Sequence, residues 1–247
     1  MKTFLLCSGK GGTGKSTTAV GLLRAFTAQK ERVLLLDLDV GLRSLDLLLG
    51  VTDSVYNWHD VLDGTVSLQE ALCTDESMPQ AALLTAPRTL ETLPSASAFQ
   101  SLLQAASKDF SICLVDAPAG LTGLVPILAA VADMALLVAT PDAVSARAAA
   151  TLADSLYDSL PQLATRLILN QVDAERTKAG LCFCADDMVT ESGVQLLGAV
   201  PQSETAAALS LSGKFDQTTL AAYERMVARL DGKTVPFQEK KIKSVGI

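Results

Sequence analysis

Ser8-Gly9-Lys10-Gly11-Gly12-Thr13-Gly14-Lys15-Ser16-Thr17 is the stretch on which the reading of this chain turns. Gly9, Gly14, Lys15 and Ser16 fit the pattern G-x-x-x-x-G-K-[ST], a phosphate-binding loop. Its glycines let the backbone curl until successive N–H groups point at phosphate oxygens, and the helix that follows adds the positive end of its dipole. Lys15 has the reach for the β- and γ-phosphates, and the Ser16 hydroxyl suits a Mg²⁺ ion. The loop also stands where the chemistry needs it. Apolar Lys2–Cys7 runs into it as a strand, and a helix-period segment, Ser16–Lys30, leaves it.

Outward from the loop, short apolar runs alternate with longer helical ones. Strands are predicted at Lys2–Cys7, Arg32–Leu38, Ala82–Thr85, Ser111–Asp116, Met134–Thr140, Arg166–Asn170 and Gln195–Val200. Helices are predicted at Ser16–Lys30, Ser95–Lys108, Asp142–Leu160 and Gln217–Leu230, the last with Leu220, Tyr223, Met226, Val227 and Leu230 on one stripe. This order predicts an α/β fold, a doubly wound and mainly parallel sheet with helices on both faces, as in P-loop NTPases. No repeat or linker divides residues 1–231, which are expected to form the P-loop unit, whereas 232–247 are polar, lysine-rich and tail-like.

Composition narrows the class. The 247 residues are 49% hydrophobic and 19% charged, enough to bury a core and incompatible with wholesale disorder. A net charge of −7 argues against sequence-specific nucleic-acid binding. The apolar run Leu124–Ala139 is broken by Pro126 and Asp133, and no targeting segment is visible, so a cytoplasmic protein is expected. The five cysteines have no framework of spacings. Cys182-Phe183-Cys184 lacks a second pair for a metal, and His59 lacks catalytic partners, so both read as structural.

Acids gather at strand ends, where open α/β sheets place their chemistry. Asp37 and Asp39 are two apart, so in extended backbone they leave the same face. Asp116 closes an apolar strand ahead of Ala117-Pro118-Ala119-Gly120 and reads either as a phosphate-site acid or as a helix cap. Asn170-Gln171-Val172-Asp173 also ends a strand; it is similar to the base-reading Asn-Lys-x-Asp of GTPases, although Asp173 also suits a turn.

With Lys10 near its start, the loop resembles the deviant Walker A motif of the MinD/ParA class of ATPases, closest to the MinD branch. Gly41-Leu42-Arg43-Ser44-Leu45-Asp46-Leu47, Val55–Gly64, Thr140-Pro141-Asp142 and Leu197–Pro201 carry the resemblance through nearly the whole chain, with Ser44 in place of the family's usual Asn. The resemblance implies ATP on Gly11, Gly12, Thr13, Gly14, Lys15, Ser16 and Thr17, with adenine near Asn170 and Pro201. It implies Mg²⁺ near Ser16, Asp37 and Asp116, and an attacking water placed by Asp39. Lys10 would cross an ATP-dependent homodimer to the partner's phosphates. Such proteins are switches, recruiting cell-division or positioning proteins to place the septum and resetting by slow ATP hydrolysis. The rival readings are a ParA-type DNA-partition ATPase and a biosynthetic ligase of the dethiobiotin or cobyrinate synthetase type. In the tail, Phe237, Lys241 and Val245 share one helical line beside Ile242. That outline fits either a solvated tail or a weak, salt-sensitive contact with anionic membrane at the inner face of the cell membrane.

Overall fold

The computed structural model describes residues 1–236 other than 42, 52, 53 and 122. The tail from Phe237, and Leu42 of the Gly41–Leu47 stretch, therefore lie outside the described residues. Among the described residues, eight strands form one sheet: β1 (Lys2–Cys7), β2 (Val33–Asp37), β3 (Cys73–Thr74), β4 (Ala81–Leu84), β5 (Ile112–Asp116), β6 (Met134–Ala139), β7 (Ala164–Val172) and β8 (Leu196–Pro201). Their spatial order is β3-β4-β2-β5-β1-β6-β7-β8. Every pairing is parallel except β3 with β4, which is antiparallel. β1 thus sits mid-sheet between β5 and β6, and the loop that leaves it opens among their carboxyl ends.

Period-2 alternation sorts the strand residues into two cores. Phe4, Leu6, Val33 and Leu35 face the helices Lys15–Ala28 and Gln217–Leu230. Leu5, Cys7, Leu34 and Leu36 face the opposite layer, which includes Ala96–Ala106, Leu124–Ala129, Ala143–Ser159 and Ala185–Ser192. Burial on both faces explains why these strands read as unbroken apolar runs. It also pushes the Cys7 and Cys113 thiols up to about 12, which suits inert core cysteines.

The helix Gln217–Leu230 buries Thr219, Ala222, Tyr223, Met226 and Val227, with Leu220 and Leu230 half-buried at the edge of the stripe. It lies so close to Lys15–Ala28 that a Cβ on Gly21 would stand 2.1 Å from the Tyr223 ring. That contact seats the helix carrying Lys15. Asp216 caps Gln217–Leu230, accepting from the Thr219 N–H at 2.9 Å, from Ser203 Oγ at 2.5 Å and from Thr205 Oγ1 at 3.0 Å. Burial alone would raise this carboxyl, but the bonds from Ser203, Thr219 and Thr205 outweigh it and hold it far below the usual carboxylate range. Its stabilisation is therefore present above the unfolded value near 4 and lost as pH falls below it. Asp216→Ala should cost about 1–2 kcal/mol at pH 7 and less at pH 3, read by urea denaturation; equal losses at both pH values would contradict the charged cap.

Candidate functional site

The loop's backbone follows its glycines. Gly12 and Gly14 adopt φ of +79° and +81°. A Cβ at Gly14 would fall 2.2 Å from Asn170 Nδ2, and one at Gly9 would fall 2.4 Å from the Ala148 carbonyl oxygen. Gly14 is also the N-cap of Lys15–Ala28, whose first turn has no acidic residue and no side-chain cap. The positive end of that helix is thus left for an anion. Gly11 and Gly12 are exposed, Thr13 and Lys15 are buried, and Ser16 and Thr17 are half-buried. Thr13 Oγ1 is buried without a hydrogen-bond partner.

Lys15 Nζ lies 2.6 Å from Asp116 Oδ1, and the two side chains are 7% and 0% exposed. Burial pushes the Asp116 carboxyl up, while the Lys15 charge, its hydrogen bond and the Ser16 hydroxyl pull it back. Asp37 stands beside Asp116 in register on the neighbouring strand. Burial and then the Asp116 charge raise its carboxyl to about 7, against weaker pulls from the Asp39 and Leu45 N–H groups and Lys15.

Asp37 and Asp39 come together, but not by the predicted route. β2 ends at Asp37. The chain then turns, with the Val40 N–H on the Leu38 carbonyl at 3.0 Å, and the Asp39 N–H donates to Asp37 Oδ1 at 3.0 Å. A turn rather than strand alternation brings the half-buried Asp39 to the site, where its charge acts on Asp116.

Asp37 Oδ2 and Asp116 Oδ2 are both buried and accept no hydrogen bond. Unpartnered hard oxygens, with the Ser16 hydroxyl beside Asp116, fit Mg²⁺, which takes one or two carboxylates and completes its shell with water and phosphate oxygens. No group of three or more His, Cys, Asp or Glu among the described residues could hold a metal by itself. When bound, the ion would supply positive charge to offset that of the phosphates.

Asn170 is buried at the end of β7, its Nδ2 donating to the Thr13 carbonyl at 2.8 Å. Pro201 ends β8 and pairs with Val172, close to Asn170. Asp173 Oδ1 accepts from the Glu175 and Arg176 N–H groups at 3.0 and 3.1 Å, capping the helix Ala174–Lys178. Its Oδ1 serves that cap. Lys10 Nζ lies 3.1 and 3.3 Å from the Asp142 oxygens, both side chains partly exposed. Burial would raise Asp142, but bonds from Thr140, Ser145 and Lys10 hold it lower.

Two partners escape sequence reasoning, Asp142 and Gln171. Asp142 is legible as a helix cap, but nothing local ties it to a lysine 132 positions away. Cys184 caps Ala185–Ser192, and Cys182 Sγ lies 3.3 Å from Thr177 Oγ1. His59 Nδ1 lies 3.0 Å from Asp63, while Trp58 packs on Phe99. Each of these polar contacts joins residues within five positions of one another.

The CobQ/CobB/MinD/ParA nucleotide binding domain matches residues 4–216. The chain belongs to the MinD/ParA family. Among its members, this chain is 29% identical to the septum site-determining protein MinD of Helicobacter pylori, over 96% of this chain and 93% of that one. It is 30% identical to the MinD of Synechocystis, over 96% and 91%. Its fold superimposes on the Aquifex aeolicus chain solved as a MinC:MinD cell division protein complex with a TM-score of 0.87, at 28% identity over 96% of this chain and 99% of that one. The MinD/ParA family is one of P-loop nucleotide-binding ATPases, and this chain is MinD-like within it. No helix among the described residues is long and apolar enough to cross a membrane.

Proposed function

We propose that residues 1–231 form a MinD-like ATPase switch that dimerises on ATP, recruits division or positioning proteins, and is reset by Mg²⁺-dependent hydrolysis. The observation that carries this reading is Lys10, a partly exposed ammonium near the start of the phosphate loop, tethered to Asp142 rather than to a group of the loop itself. A charge so placed can be handed to a second copy, where it would offset the charge that spreads over a transferring phosphoryl group. Exposed apolar side chains border the same region. Leu121 follows Gly120, whose N–H meets the Ser8 carbonyl, and Val144 follows Asp142. Leu181 lies near Phe183, whose N–H meets the Pro141 carbonyl. Apolar surface around a charged mouth suits closure by a second copy.

Within the site, the loop N–H groups and Lys15 hold the phosphates, and Ser16, Asp37 and Asp116 serve Mg²⁺. Asp39 orients the attacking water. Asn170 keeps its carbonyl oxygen for the adenine amino group while its amide holds the loop, and Asp173, occupied as a cap, favours ATP over GTP. The A. aeolicus MinC:MinD complex supports a division protein as partner. A cytoplasmic protein with weak, dimer-dependent contact to anionic membrane through residues 237–247 completes the reading.

Light scattering with Mg·ATP tests it. Wild type should dimerise and hydrolyse ATP; Lys10→Ala should bind nucleotide as a monomer and do neither. A Lys10→Ala dimer of full turnover would sink the cross-dimer role. Co-sedimentation of the ATP-bound protein with anionic vesicles, lost on deleting residues 237–247, would favour MinD-like behaviour; retention on DNA instead would favour the partition reading.

A further inference from the structure

Successive strand residues point to opposite faces, so Asn170 and Gln171 should not both reach one loop. They do. Asn170 Nδ2 donates to the Thr13 carbonyl at 2.8 Å and Gln171 Nε2 to the Gly12 carbonyl at 3.3 Å. The backbone makes this possible. From Leu169↔Ala199 to Val172↔Pro201, β7 advances three residues while β8 advances two, so β7 carries a bulge across these two positions. Gln171 lies in the left-handed region, with φ of +59°. A side chain longer than glycine's is disfavoured there and persists where its surroundings hold it.

The loop's carbonyls show what is held. Ser8 O accepts from the Gly120 N–H at 2.8 Å, Lys10 O from Ser8 Oγ at 3.1 Å, and Gly14 O from the Thr18 N–H at 2.8 Å. Gly12 O and Thr13 O are met by the two amides from β7. Across a trans peptide the C=O and the following N–H point in opposite directions. Pinning Gly12 O and Thr13 O outward therefore aims the Thr13 and Gly14 N–H groups inward, where an anion would sit.

We infer that Gln171 is a positioning residue for phosphate recognition: with Asn170 it forms an amide clasp that fixes the outward carbonyls of Gly12 and Thr13. The inference rests on the reading of the loop as a nucleotide site. Asn170 is buried against Gly14, so its loss would confuse folding with binding. Gln171 is exposed and separates the two.

The test uses the full chain, calorimetry with Mg·ADP and Mg·ATPγS, and melting without nucleotide. Gln171→Gly removes the amide and relieves the left-handed backbone. Its Kd for both nucleotides should rise about five- to tenfold while its melting temperature is not lowered. Gln171→Glu keeps the shape but sets an acceptor against an acceptor, and should raise Kd at least as much. Kd values within about twofold of wild type for both variants would overturn the clasp alone, as would an affinity loss in Gln171→Gly that comes only with a lower melting temperature. A wild-type chain that binds neither nucleotide would overturn the nucleotide reading and the clasp together.

Discussion

Lys15→Ala should lower ATP affinity about a hundredfold and at the same time destabilise the fold by about 3–5 kcal/mol at pH 8. The two losses have different physical origins. Affinity falls because the β/γ-phosphates lose a charge-assisted donor. Stability falls because Asp116, fully buried and 2.6 Å from Lys15 Nζ, is left as an uncompensated carboxylate between β1 and β2. Burial already pushes this carboxyl up, and without Lys15 it rises further. A carboxyl raised in the folded state favours folding below its unfolded value and loses that contribution as pH climbs through the folded one. The destabilisation should therefore be small near pH 4 and grow toward pH 8. Urea denaturation across that range, paired with nucleotide calorimetry, measures both. The double variant Lys15→Ala/Asp116→Asn should recover most of the stability and none of the affinity. A Lys15→Ala protein as stable as wild type at pH 8 would show that the buried pair contributes nothing.

What was legible in the sequence follows from the range of each interaction. The loop is a contiguous pattern with contiguous consequences, and strands such as Lys2–Cys7 announce themselves because both faces are buried. β3 is two residues long, too short for any period to register. Residues Asp37 and Asp39 were legible as a pair, but alternation supplied the wrong reason, since the chain leaves the strand after Asp37 and turns. The tether from Lys10 to Asp142 spans 132 positions and leaves no local trace. Gln171 is hidden more deeply: alternation assigns it to the face away from Asn170, and only the bulge and its left-handed backbone return it to the loop.

The same physics makes Asp37 a site where stability and function should part. Asp37→Asn keeps the shape and the acceptor for the Asp39 N–H, and it removes a buried charge that faces Asp116 in register. Wild-type Asp37 is raised from 3.8 to about 7 by burial first and the Asp116 charge second. Its folded form holds the proton more tightly than its unfolded form, so the benefit is complete below about pH 4 and drains away as pH rises through 7. Asparagine has no such drain. In metal-free protein the variant should match wild type near pH 4, gain steadily to pH 7, and stay about 1–3 kcal/mol more stable above it. Urea denaturation in EDTA from pH 4 to 8 reads the divergence, and an Asp37→Asn protein less stable than wild type at pH 8 would refute it. The gain should carry a functional loss. With the Asp37 carboxylate gone, Mg²⁺-dependent ATP turnover should fall roughly 10–100-fold, since a ligand or the partner that orients one is missing. Full turnover in Asp37→Asn would remove this residue from the metal shell and leave Ser16 and Asp116 to hold the ion without it.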